Sequence, residues 1–370
     1  MPMTDAAEPE PTSPPAAPAR HHALVRFGFG VVLAGLALFL AVELAGGMAD
    51  ALDALGDVDV RWLLAGFAAE TASYALLSWQ LRRLAGPDAD LKRGAAFRLG
   101  LVVFGLGLIT PASPAEGMVL ASAELSRRGL TRRRAALTLV YSEWYANATL
   151  WVLASASVLT AALLDDVPGD ERGPLVGVAL AMLATLALIV ALARRQAVVE
   201  WFAVRIGALR PRRQRRSVEQ RRAVGARWFA EAATVTPTRR ERAFVVVLAL
   251  AAWGCDALCL FFSLVAAGTV VRPDVLLLAY TTAVIAASVP LVPAGFGVVE
   301  AALPALLASY GVHHATALAG ALAYRGLGTV LPALAGAIVL PGLRVVRRRR
   351  GRTRTAATLA ATDAVASETP

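Results

Sequence analysis

The chain has 370 residues, of which 57% are hydrophobic and only 17% charged; its net charge is +10 and its mean hydropathy +0.58. Ordinary globular domains carry roughly 45–50% apolar and about 25% charged residues, so a soluble enzyme, a disulfide scaffold and a disordered protein are excluded. Two cysteines supply neither a disulfide framework nor a metal signature. The basic charge is arginine (Lys92 is the one lysine) and is confined to particular loops. That argues against a nucleic-acid surface and for lipid phosphates, which the planar guanidinium binds bidentately.

Residues 1–23 read as a disordered tail, with no cleavable signal before the first apolar run. Runs at 24–45, 62–84, 135–164, 174–193, 243–267 and 315–340 are each long enough to cross a bilayer as helix. Two further apolar stretches are too short and are broken by proline. The first runs from Phe97 through Pro111 and Pro114 to Leu125. The second runs from Val275 through Pro290, Pro293, Gly295 and Gly297 to Tyr310. Non-helical backbone at membrane depth is tolerated only where it is buried in protein or lines a cavity, so both are expected to be re-entrant hairpins with tips at Pro111, Pro114, Pro293, Gly295 and Gly297.

With both hairpins re-entrant, the arginine-rich segments 82–98, 127–134, 194–242 and 344–354 fall on one face and the acidic loops 50–59 and 165–171 on the other. The positive-inside rule makes the basic face cytoplasmic. The expected arrangement is an all-α polytopic protein of the bacterial inner membrane, with six full spans, two re-entrant hairpins and both termini inside. Residues 24–342 form the membrane domain, and 343–370 a basic, then polar, cytoplasmic tail. Segment 194–242 holds fourteen arginines and four glutamates, with Trp201, Phe202, Trp228 and Phe229 interleaved, like a helix lying on an anionic membrane. Arginine close to such a surface contributes about 1 kcal/mol each; the other reading of this segment is an orientation signal alone.

The two broken stretches are alike at an offset of 182 residues: Pro111 pairs with Pro293, Gly129 with Gly311, and Glu143 falls opposite Arg325. Repeat units of about 60–164 and 243–341 are separated by an odd number of spans, so they have opposite orientation. Inverted repeats with broken helices are typical of transporters that bind substrate near the midplane; the competing reading is ordinary kinked helices.

A charge at the bilayer centre costs roughly 2.5–3.5 kcal/mol on insertion scales, which singles out Glu70, Glu116, Glu143, Asn147, Asp256, Glu300 and Arg325. Arg325, deep in the last span, is read either as a site for a lipid phosphate or anionic head group or as an ion-pair partner of Glu143 or Glu300. Glu116 and Glu300 each open a half-helix, where a carboxylate is a helix cap or a proton- or amine-binding group. Glu143 and Asn147 form a polar stripe expected to line the interior. Cys255 and Cys259 read as packing residues, and no catalytic constellation, metal site or cofactor motif is found.

Pro-Ala-Gly-Phe-Gly-Val-Val-Glu at 293–300, Gly311, Ala-Tyr-Arg at 323–325, Pro332 and Gly336 resemble the signature of the lysylphosphatidylglycerol synthase transmembrane-region family. The first half agrees more loosely. Ala115 replaces a glycine in a Pro-x-x-x-Gly-Glu turn, Val119 an arginine, and Asn147 the aspartate of a Glu-Arg-x-x-Asp pattern. The resemblance, over about 24–342, implies a stand-alone flippase-like membrane domain that moves a lipid or lipid-linked head group, with membrane lipid as its partner. Only about thirty polar residues follow Leu340, so no aminoacyltransferase domain is expected and no enzymatic activity. The departures leave the head group open. Two other readings stand beside it: a non-catalytic accessory subunit of envelope lipid or glycan synthesis, and a transporter of a small soluble solute.

Overall fold

The computed structural model describes residues 58–105, 113–163, 169–208, 217–288 and 297–339. The expected first span at 24–45, the tip residues Pro111, Pro293 and Gly295, and both tails lie outside the described residues, as do the side chains of Pro114 and Glu116. Eleven helices and no strand occur among the described residues. They are α1 (Val60–Ala85), α2 (Arg93–Gly100), α3 (Ser113–Arg127), α4 (Arg132–Leu163), α5 (Gly169–Ala193) and α6 (Gln196–Ala208). Then follow α7 (Val218–Val235), α8 (Arg239–Ala266), α9 (Pro273–Ser288), α10 (Val298–Ser309) and α11 (His314–Arg325).

Four of these helices are long and apolar enough to cross a membrane: α4, α5 from Arg172, α8, and α11 continued to Val339. The chain is thus a multi-pass α-helical membrane protein. Helix α1 has the length, at 26 residues, but buries Glu70, Ser73, Ser78 and Gln80 on its inner face, which dilutes its apolar signal. These groups need partners inside the protein, and α1 packs most extensively against α8.

Side-chain and backbone contacts give the helices their directions. Asp59 N donates to Ala266 O at 3.2 Å, so α1 begins where α8 ends. At the opposite end the Arg83 guanidinium lies 4.8 Å from the centre of the Phe244 ring, near the start of α8. Arg134 pairs there with Asp88 at 2.7 Å, and Asp90 N donates to Arg128 O at 3.1 Å. The start of α2 and the end of α3 therefore meet at this basic end. Helix α11 runs antiparallel to α8, since Gly320 abuts Leu264 while Tyr324 reaches Asp256. The starts of α9 and α11 and the end of α10 therefore lie at the other end.

The 182-residue offset carries the last residue of α3, Arg127, onto the last of α10, Ser309, and the first of α4, Arg132, onto the first of α11, His314. Gly86 and Gly268 correspond, as do Gly129 and Gly311, and all four have positive φ, between 77° and 106°. Such φ suits glycine at a helix C-terminus; at Gly129 a Cβ would also meet Asp88 O at 2.8 Å. Each half carries its own apolar core. One is built on Leu81, Leu99, Leu125 and Leu139, the other on Leu260, Leu264, Leu303 and Leu307. Within the first half Gln80 Nε2 donates to Ser142 O at 3.2 Å, and Trp253 Nε1 of the second half donates to Ala146 O of the first at 2.8 Å.

The basic segment is not a single helix lying flat. Helices α6 and α7 form a hairpin in which Gly225 is packed so tightly that a Cβ would sit 2.7 Å from Glu200 Cα. Helix α7 then docks on α4, with Glu231 contacting Thr131 at 3.3 Å and Arg133 at 3.6 Å. The two helices cover apolar surface on one another, which one helix alone would leave to the bilayer. Trp201 and Phe202 remain about half exposed on its outer face.

Helix α11 changes pitch after Arg325, with a π-helical turn at Gly326–Val330. Pro332 lacks an N–H and its ring opposes the carbonyl four residues back, that of Gly328. The wider turn relieves the clash, and the freed Gly328 carbonyl accepts from Tyr74 Oη at 3.3 Å.

At Gly320 a Cβ would fall 2.6 Å from Leu264 Cδ2 and 3.1 Å from Leu264 Cα. Gly320→Leu is therefore expected to force α11 off α8 and destabilise the protein by about 1–3 kcal/mol or more. Thermal unfolding in detergent checks this, with Gly254→Ala, which meets nothing within 4 Å, expected to unfold within a degree or so of wild type.

Candidate ionisable site in the membrane layer

Four ionisable residues lie at one depth. Glu70 is ten residues from the start of α1, Asp256 ten from the end of α8, Arg325 eleven from the start of α11 and Glu300 nine from the end of α10. All four helix ends lie at the non-basic end of the bundle. At 1.5 Å per residue these positions are about 14–17 Å below it, half of the roughly 30 Å hydrocarbon thickness.

Arg325 Nε donates to Glu300 Oε1 at 2.8 Å, and both side chains are buried, at 9% and 7% exposure. Of the two carboxylates the sequence offers this arginine, Glu300 thus receives its Nε. The other oxygen of Glu300 accepts from Gly297 N at 2.7 Å. The helix-cap and ion-pair readings of Glu300 are therefore true together. Gly297, with φ of 83°, turns the chain into α10 so that this N–H points at the carboxylate. The pair thus fixes α10 to α11 and holds a guanidinium inside the apolar layer.

Glu143 and Asn147 meet each other on α4: Asn147 Nδ2 donates to the Glu143 backbone carbonyl at 2.8 Å and approaches its carboxylate at 3.5 Å. Asn147 is exposed on the helix and Glu143 is partly buried. The inward face of α4 is taken by Ser142, Ala146 and Thr149.

A second cluster forms around two residues the sequence marked only as deep charges. Asp256 accepts from Tyr280 Oη at 2.7 Å and from Tyr324 Oη at 2.9 Å. Glu70, which is 5% exposed, lies beside this cluster on α1. Gly328 backs Glu70, since a Cβ there would sit 3.6 Å from the Glu70 carboxyl. Tyr74, one turn beyond Glu70, ties α1 to the π turn that follows Arg325. Sequence reasoning missed the tyrosines. Tyr280 and Tyr324 each stand in an apolar run, and nothing local says that their hydroxyls converge on one aspartate of a third helix.

No group of three or more His, Cys, Asp or Glu side chains that could hold a metal ion occurs among the described residues. The arrangement offers a buried cation, neighbouring carboxyl groups and hydroxyl donors, which can bind charged or hydrogen-bonding groups.

A multi-pass helical membrane protein with an ion pair and a carboxyl cluster buried at mid-depth is the class that the fold and site define. Residues 27–336 match the lysylphosphatidylglycerol synthase TM region family, and the chain belongs to it. A comparison with curated proteins finds no match.

Removing one partner of a buried pair leaves an uncompensated charge, typically at a cost of about 3–5 kcal/mol, whereas apolar replacement of both is far milder. Arg325→Met is thus expected to lower stability more than the double variant Arg325→Met/Glu300→Gln. Unfolding of the four proteins of that double-mutant cycle in detergent measures the coupling.

Proposed function

We propose that this protein moves an anionic phospholipid or lipid-linked head group between leaflets, the head group passing a polar path while the acyl chains stay in lipid. The observation that carries the reading is the Arg325–Glu300 pair, buried at half-depth on α11 and α10. A guanidinium already held at that depth gives a lipid phosphate a cation whose own desolvation has been met in folding. Membership of a family named for a lipid-modifying enzyme's membrane region agrees with a lipid substrate.

The membrane arrangement that goes with it has six full spans and two re-entrant hairpins in an inverted repeat. Helices α2 and α3 would dip from the basic face, and α9 and α10 from the other. Supporting this, the outer ends of each pair meet at one end of the bundle, and the ends differ between pairs. The basic end, carrying Arg83, Arg128, Arg134 and the α6–α7 hairpin, would face the cytoplasm of a bacterial inner membrane. Arg325 would meet phosphate, and Glu300, Glu116, Glu143 and Asn147 would balance charge or bind an amine. The protein would act without cofactor and without catalysing a covalent step.

Leaflet exchange of labelled phospholipids in proteoliposomes tests the proposal. Wild type is expected to exchange an anionic lipid well above empty liposomes, with Arg325→Ala and Glu300→Gln slowed at least tenfold, a barrier change of about 1.4 kcal/mol. If all three match empty liposomes for every lipid tried, the reading fails. An accessory subunit would instead keep its cellular function in Arg325→Ala and lose it on changes in the α6–α7 hairpin.

A further inference from the structure

Glu70 and Asp256 are two carboxyl groups on different helices in the middle of the membrane layer, grouped around Tyr324: its hydroxyl donates to Asp256, and a Cβ on Gly328 would sit 3.6 Å from both the Glu70 carboxyl and the Tyr324 ring. Carboxylate oxygens only accept. A hydrogen bond between two carboxyls therefore exists only when one of them carries a proton. The partners of Asp256 say which one. Tyr280 and Tyr324 each donate to one of its oxygens, so Asp256 is surrounded by donors as an anion is. On Glu70, by contrast, Oε2 is fully buried and has no hydrogen-bond partner within the described residues.

The charges nearby point the same way. Among the described residues, Glu70, Asp256 and Glu300 make three carboxylates, and the arginine at this depth is Arg325, with its Nε on Glu300. The other titratable groups facing Glu70 among those residues are Tyr74 of α1, Cys255 and Cys259 of α8, Tyr280 of α9 and Tyr324 of α11, none of them a cation. Adjacent like charges in a dry site cannot both persist without a counterion. A metal ion is a poor one here, because the tyrosine hydroxyls already direct protons at both Asp256 oxygens and a hard cation wants six or more free oxygen ligands.

We propose that Glu70 and Asp256 form a proton-binding site in which Glu70 holds the proton and donates it to Asp256. The site is joined to the ion pair through one residue step, Tyr324 to Arg325. Losing the proton leaves a second negative charge beside Arg325 and draws the guanidinium from Glu300. Proton binding here does not depend on the translocation reading.

Infrared spectroscopy of the full-length protein in detergent tests it, by the carbonyl stretch of a protonated carboxylic acid and its shift in deuterated water. At neutral pH the wild type is expected to show the band, Glu70→Gln to lack that component, and Asp256→Asn to keep it at a shifted frequency. If Glu70→Gln does not fold, the Asp256→Asn shift decides alone. The proposal is overturned if the wild-type spectrum has no such band, or if neither substitution alters it. It is equally overturned if sodium at constant pH abolishes the band, which would make the occupant a metal cation. Lipid exchange by the same preparations is scored separately, so a protein that moves no lipid but shows the Glu70 band loses only the translocation reading.

Discussion

Hydrocarbon does not solvate charge, so an ionisable side chain at mid-depth must be answered by groups from the protein itself. In this fold that demand is met at one layer. Arg325 and Glu300 answer each other, and Asp256 is answered by two tyrosines, with Glu70 beside them. Five helices supply these groups, α1, α8, α9, α10 and α11, and so they are bound together by polarity as well as by packing. Apolar contact alone is a weak organiser in lipid, because lipid tails are as apolar as leucine. Directional bonds and close contacts such as Gly320 on Leu264 therefore decide which helix faces meet.

The two halves share a frame and differ in charge. Helix ends, positive-φ glycines and the buried Leu125 and Leu307 agree at the 182-residue offset. At that same offset Glu143 stands opposite Arg325, and Tyr74 opposite Asp256. A carboxylate thus occupies in one half the place a guanidinium occupies in the other. The frame is set by turns and by core volume, which both halves must satisfy alike. The polar positions are free of that constraint, so they can diverge and give the membrane layer an uneven charge.

The helices were readable in the sequence wherever the apolar runs were long, since α4, α5, α8 and the last helix need few signals besides length and hydropathy. The family was readable from the residues around Pro293, Glu300 and Arg325. Partner choice was not. Whether Arg325 pairs with Glu143 or Glu300 depends on which helices touch, and periodicity along one helix carries no such information. Nor could the pattern at Glu143 and Asn147 show what the amide bonds to: a small amide can satisfy itself on its own helix backbone, and Asn147 does. The tyrosines that close on Asp256 were hidden because an aromatic ring in an apolar run reads as packing until its hydroxyl is located.

The pitch change behind Arg325 links these observations. Pro332 cannot coexist with a regular turn that points the Gly328 carbonyl along the axis, and the π turn turns that carbonyl toward Tyr74. Gly328 also lines the wall of the Glu70 pocket. The segment that carries the cation is therefore the one that shapes the carboxyl cluster, with Tyr324 holding Asp256 one residue earlier. Any displacement of Arg325 along or about its helix must disturb Tyr324, Gly328 and hence Glu70. The ion pair and the carboxyl cluster are mechanically one unit, because a single deformed helix supplies a wall of each.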